Sequence, residues 1–154
     1  MQFQVTVQVG APASVLWQAV ADVEEWPQWT PTMNEVTWLT STPAGGGGPL
    51  QPGSRARIRQ PRMPQLIWEV TEVRPGTSFT WQAQSAGLTT TGTHEVRSLG
   101  ADRAELTLGL AVSGPLAPVV GFLNRGRARR SVQQEAEGMK RCAEVAASAP
   151  DPRG

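Results

Sequence analysis

A chain of 154 residues suits one domain and leaves little room for two. With 39 % hydrophobic and 18 % charged residues it lacks the balance of a disordered chain, and a formal charge of +1 argues against a nucleic-acid binder. One cysteine and one histidine exclude an internal disulfide, a zinc-finger-type site and a CxxC redox pair, so no metal and no cofactor is expected, and a reducing, cytoplasmic setting is.

No basic start followed by an apolar stretch marks a signal peptide at the N-terminus. The longest apolar stretch, Leu116 to Leu123, is far too short to span a bilayer and contains Pro118, so stable membrane insertion is not expected.

Phe3, Val5, Val7 and Val9 alternate with polar residues, which is the period of a half-buried strand. Gly10-Ala11-Pro12 stops it, and Val15, Leu16, Ala19 and Val20 recur at helical spacing over 12–21. A second short helix or turn begins at Asp22 and closes at Trp26-Pro27-Gln28-Trp29. A strand is expected at 33–40, then a surface loop at 41–53 containing four consecutive glycines and three prolines. Five strand-like runs follow at 54–60, 66–73, 78–85, 88–98 and 103–112, separated by short turn signals that imply antiparallel hairpins.

Ser113-Gly114-Pro115 ends the sheet, and from 116 to 147 apolar residues recur at steps of three and four through Val120, Leu123, Ala128, Val132, Ala136, Met139 and Ala143. Gly121, Gly126 and Gly138 weaken this helix, each by about 1 kcal/mol relative to alanine, and a bend near 121–126 is expected. The domain is placed at 1–147, with 148–154 a disordered tail. Two short helices cannot cover seven strands, so the long helix must lie over the concave face. A bent sheet closing on a helix leaves space that side chains need not fill.

The motifs Val15-Leu16-Trp17, Trp26-Pro27-Gln28-Trp29-Thr30-Pro31, Pro52-Gly53-Ser54, Trp68-Glu69-Val70-Thr71-Glu72-Val73, Pro75-Gly76 and Phe79-Thr80-Trp81 stand in one order, ahead of a closing strand and a long helix. In that order the chain resembles the START-like, or SRPBCC, superfamily, close to its polyketide cyclase/dehydrase and lipid-transport branch. The resemblance implies an α+β helix-grip fold: a curved seven-stranded antiparallel sheet wrapped around a long C-terminal helix, with two short helices after the first strand. It also implies a hydrophobic cavity. The fold hosts carriers, cyclases, hydroxylase components and regulators, so it does not by itself select an activity.

Candidate cavity residues follow from strand parity. Phe79 and Trp81 share one face and Trp68 shares a face with Val70, which sets indoles over the concave side to stack on a flat ligand or to fill the core. His94, the single histidine, has the parity of Val96, Gly92 and Thr90; facing inward it can act as acid or base, or donate a hydrogen bond to a ligand carbonyl. The sequence marks no carboxylate partner for it. Gln60 and Met63 stand in a turn stiffened by Pro61 and Pro64 that can close one mouth, and Met139 lies on the inward half of the long helix. Trp17, Trp26 and Trp29 are assigned to fixing the short helices on the sheet. Arg55, Arg57 and Arg59 are placed on the convex side with Ala56 and Ile58 facing in, the reverse parity setting the guanidinium groups in the cavity, and Cys142 is read as a small buried apolar residue.

The segment Arg125-Gly126-Arg127-Ala128-Arg129-Arg130 reads as a solvated helix face partly neutralised by Glu135 and Glu137, or as a contact for phosphate, anionic lipid or RNA. Two functions compete. One is binding or transport of a small hydrophobic ligand, a lipid, isoprenoid or polyketide-like aromatic. The other is a polyketide cyclase or dehydratase with His94 moving a proton.

Overall fold

The computed structural model describes residues 1–39 and 50–149. β1 (Gln2–Val9) is followed by α1 (Ala13–Ala21) and a 3₁₀ helix (Val23–Gln28). Then come β2 (Glu35–Trp38), β3 (Arg55–Arg59), β4 (Leu66–Arg74), β5 (Ser78–Ser85), β6 (Leu88–Gly100), β7 (Arg103–Ser113) and α2 (Ala117–Ser148). This is the expected α+β order. The glycine-rich stretch of the loop read at 41–53 lies outside the described residues, as do residues 150–154 of the expected tail, and α2 runs as one helix through the glycines where a bend was expected.

The seven strands form one antiparallel sheet in the order β1-β7-β6-β5-β4-β3-β2. The strands from β3 to β7 pair with their neighbours in sequence, as short turns require, β2 pairs with β3 across the long loop, and β1 pairs with the last strand. α1 and the 3₁₀ helix carry the chain from one sheet edge to the other.

Alternation sets the inner face. Phe3, Val5 and Val9 of β1, Ala56 and Ile58 of β3, Phe79, Trp81 and Ala83 of β5, and Ala104, Leu106 and Leu108 of β7 are all buried. Arg55, Arg57 and Arg59 point the other way, where Arg55 pairs with Glu69 at 3.1 Å and Arg59 with Glu35 at 3.6 Å. β4 breaks strict alternation: its register against β5 shifts between Val70 and Glu72, so Trp68 and Val70 before the bulge and Val73 after it all face the core.

α2 seats on β1, β7 and α1. Its inward stripe, Val132, Ala136, Met139 and Ala143, is buried. Polar ties fix its C-terminal half: Lys140 Nζ donates to the Gln8 carbonyl at 2.7 Å, Arg141 to the Trp29 carbonyl at 3.0 Å, and the Gly10 N–H donates to Glu144 at 2.8 Å. Trp26 is 1 % exposed and its Nε1 donates to the Ala19 carbonyl at 3.2 Å, which joins the 3₁₀ helix to α1.

Candidate functional site

Where α2 clears β3 to β6, a pocket of about 440 Å³ remains between helix and sheet. That volume lies within the range of small-molecule sites. Ile58, Leu66, Trp68, Trp81, Leu108 and Leu110 form its sheet wall, and Val120, Ala128, Val132 and Glu135 its helix wall. Trp26 and Met33 close the inner end. Arg62, Met63, Pro64, Asn124 and Arg127, exposed members of the lining, mark a mouth between the β3–β4 loop and the first turns of α2, and exposed Ser85 adds the end of β5 to the rim. Arg62 holds a left-handed backbone (φ 63°), which sharpens that loop.

Register explains the aromatic wall. Val70, Trp81, Gly92 and Leu110 stand side by side across four strands, as do Phe79, His94 and Leu108 across three. Glycine at 92 gives the Trp81 ring its place, because a Cβ there would stand 2.8 Å from Trp81 Nε1. Trp81 packs against Trp68 at 5.4 Å between centroids and edge-on against Trp26 at 5.3 Å. The indole nitrogen of Trp68 is buried and has no hydrogen-bond partner among the described residues.

His94 is 5 % exposed and lies flat on Phe79, with centroids 4.1 Å apart and planes 8° from parallel. Its Nδ1 stands 3.3 Å from the Phe79 carbonyl oxygen. A carbonyl only accepts, so Nδ1 carries the proton and Nε2 is left with its lone pair. Burial holds the imidazole at about 4, only partly opposed by the Phe79 carbonyl, so the ring is neutral at physiological pH. In that state Nε2 is free to accept a hydrogen bond, while the ring's one N–H is directed at the Phe79 carbonyl.

Glu135 is the group that sequence reasoning missed. It stands three residues after Val132 and four before Met139, on the inward stripe, and its half-buried carboxyl faces the pocket instead of neutralising the arginines. Thr32 donates to Oε1 at 3.2 Å, and Thr30 and Thr32 hydroxyls pair at 2.9 Å behind it. Burial pushes the carboxyl up to about 7, with the Thr32 hydrogen bond working the other way. The apolar spacing on both sides was the available signal.

Of the residues singled out in the sequence, Gln60, Met63, Trp68, Trp81 and His94 line the pocket. Phe79 and Met139 stand in the core outside the lining: Phe79 is fully buried beneath the His94 ring, and Met139, 3 % exposed, lies one helical turn beyond Glu135. Trp26, assigned to anchoring, does anchor the 3₁₀ helix but also forms pocket wall. Cys142 is half-buried against the core, and its thiol is pushed up by burial and by the carboxylates of Asp22 and Glu25. Among the described residues no three His, Cys, Asp or Glu side chains are grouped to hold a metal ion, and no helix is long and apolar enough to cross a membrane.

A seven-stranded antiparallel sheet, a long C-terminal helix and a pocket between them define a START-like helix-grip protein. The chain belongs to the family described as polyketide cyclase / dehydrase and lipid transport, whose profile matches residues 1–146. No curated protein matches it. Among solved structures it is similar to the di-domain ARO/CYC BexL from the BE-7585A biosynthetic pathway, with a TM-score of 0.72 and 18 % identity over 97 % of this chain; it spans 48 % of that one, about half its length. It is also similar to a START superfamily protein from Mycobacterium smegmatis (TM-score 0.71, 22 % identity, 91 % of this chain and 97 % of that one). The Zhui aromatase/cyclase from a Streptomyces species is a third (0.67, 17 %, 96 % and 93 %). At these identities the likeness carries the fold alone.

Proposed function

We propose that the chain binds a small, flat, largely apolar molecule bearing at least one hydroxyl or carbonyl group in the pocket beneath α2. One observation carries the reading: an indole-walled pocket of about 440 Å³ is lined mainly by apolar side chains, with buried His94 and half-buried Glu135 among its polar groups. Apolar walls supply affinity and a few placed polar atoms supply orientation. Lipids, isoprenoids and polyketide-like aromatics all fall within the class that the family description covers, and the faces of Trp68 and Trp81 favour the aromatic. Calorimetric titration with naphthol tests it. The wild-type chain binds, and Thr90→Trp, which pushes an indole into the pocket from β6, weakens binding about tenfold or more. Equal affinity in the two proteins places the ligand elsewhere.

A second reading, a cyclase or dehydratase, is favoured by a specific pairing: His94 and Glu135 face one pocket, and burial displaces their proton affinities in opposite directions. For aldol-type closure of a poly-β-ketone, ionised Glu135 takes a proton from a carbon between two carbonyls. That carbon bonds to a second carbonyl carbon, and the alkoxide formed takes the proton back from Glu135. Later loss of water leaves a carbon–carbon double bond. His94 Nε2 accepts a hydrogen bond from an enol or hydroxyl and holds the chain in place. An enzyme loses about a hundredfold or more in turnover of a poly-β-ketone thioester in Glu135→Gln while still binding naphthol; a carrier turns over nothing in either form.

A further inference from the structure

The first turns of α2 carry an apolar face that no other part of the described chain covers. Leu116, at the helix N-cap, is 49 % exposed, Val119 60 %, Phe122 88 % and Leu123 72 %. Positions 116, 119 and 123 share one side of the helix, with Phe122 beside them. These side chains cannot turn inward, because Ala117 and Gly121 on the opposite side are already buried. Single exposed apolar residues are ordinary, but four large ones within about two turns form a patch.

The next turns of the same helix carry Arg125, Arg127, Arg129 and Arg130, all exposed. From 116 to 134 the sequence contains no Asp or Glu, and among the described residues none of the four arginines is held in an ion pair. A protruding apolar turn followed along one helix by a purely basic turn is the pattern of an interfacial helix: apolar side chains enter the acyl boundary while guanidinium groups stay among anionic headgroups.

We propose that this face, Leu116 to Arg130, docks the protein on an anionic lipid surface. The charge complementarity selects that occupant. A second copy related by a two-fold axis would bring two arginine clusters together with no carboxylate between them. A folded acidic protein would need a hollow shaped to take Phe122 and Leu123, whereas a bilayer accepts protruding side chains of any shape. Docking also sets the pocket mouth toward the bilayer, since Val120, Asn124 and Arg127 belong to both the docking helix and the pocket lining, and Met63 on the opposite lip is 50 % exposed.

Co-sedimentation with vesicles tests the proposal without any pocket ligand, so its failure is separable from failure of the binding reading. The full chain is expected to sediment with phosphatidylcholine vesicles containing about 30 % phosphatidylglycerol at low salt, to be released as salt rises, and to ignore pure phosphatidylcholine. Phe122→Asp is expected to lower binding about tenfold or more while leaving the circular dichroism spectrum and naphthol affinity unchanged, and Arg129→Gln with Arg130→Gln to flatten the salt dependence. No sedimentation with anionic vesicles, equal sedimentation of Phe122→Asp, or a wild-type dimer that Phe122→Asp converts to monomer would each overturn it.

Discussion

His94 and Glu135 owe their protonation states to the same apolar walls, which act on a cation and an anion in opposite senses. Glu135, raised from 4.5 to about 7, keeps in the folded chain a proton that the unfolded chain releases. Its contribution to stability is full below pH 4.5 and is lost as pH rises through about 7. His94, lowered from 6.5 to about 4, stays neutral in the fold while the unfolded chain takes up a proton. Its contribution is full above pH 6.5 and is lost as pH falls through about 4. The two slopes oppose each other, and variants separate them. In Glu135→Gln, stability is expected to rise by on the order of 3 kcal/mol as pH rises across the His94 window. In His94→Gln it is expected to fall as pH rises through the Glu135 window. Urea unfolding at a series of pH values checks both, and parallel profiles in the two variants would contradict the assignment. The inward parity of His94 was legible because Val96 fixes it. For Glu135 the spacing of Val132 and Met139 pointed inward, but a carboxylate near four arginines also reads as their surface partner, and only the fold decides between the two.

At the scale of elements, the strands and hairpins were legible from alternation and turn residues. The β4 bulge was not, since nothing in Val70-Thr71-Glu72 marks the extra residue. The glycines of α2 looked alike in sequence, each a weak point in a helix, and the packing separates them. A Cβ at Gly138 would stand 2.5 Å from the Trp29 carbonyl oxygen, part of a backbone already tied to Arg141. A Cβ at Gly126 meets nothing within 4 Å. Gly126→Ala is therefore expected to stabilise by about 1 kcal/mol through helix propensity. Gly138→Ala is expected to destabilise by about 1–3 kcal/mol, because helix and 3₁₀ turn must part. Thermal unfolding of the two variants reads the opposite signs; shifts of the same sign would show that Gly138 is not a close-packing position.

For the whole molecule, element order and antiparallel pairing followed from sequence, and the need to cover seven strands put the long helix over the sheet. The pocket itself is a small difference between two large volumes, the space enclosed and the side chains that enter it, and no local pattern encodes it. It survives because α2 leans on β1, β7 and α1, while three indoles, Trp26, Trp68 and Trp81, stiffen the opposite wall without filling it. Those three indoles also give the most direct test. The chain has six tryptophans, and the side-chain N–H of each gives a separate peak in a proton–nitrogen correlation spectrum. On addition of naphthol, the peaks of Trp26, Trp68 and Trp81 are expected to move while those of Trp17 and Trp29 stay in place. Movement confined to Trp17 and Trp29, or no movement at saturating naphthol, would contradict a ligand pocket beneath α2.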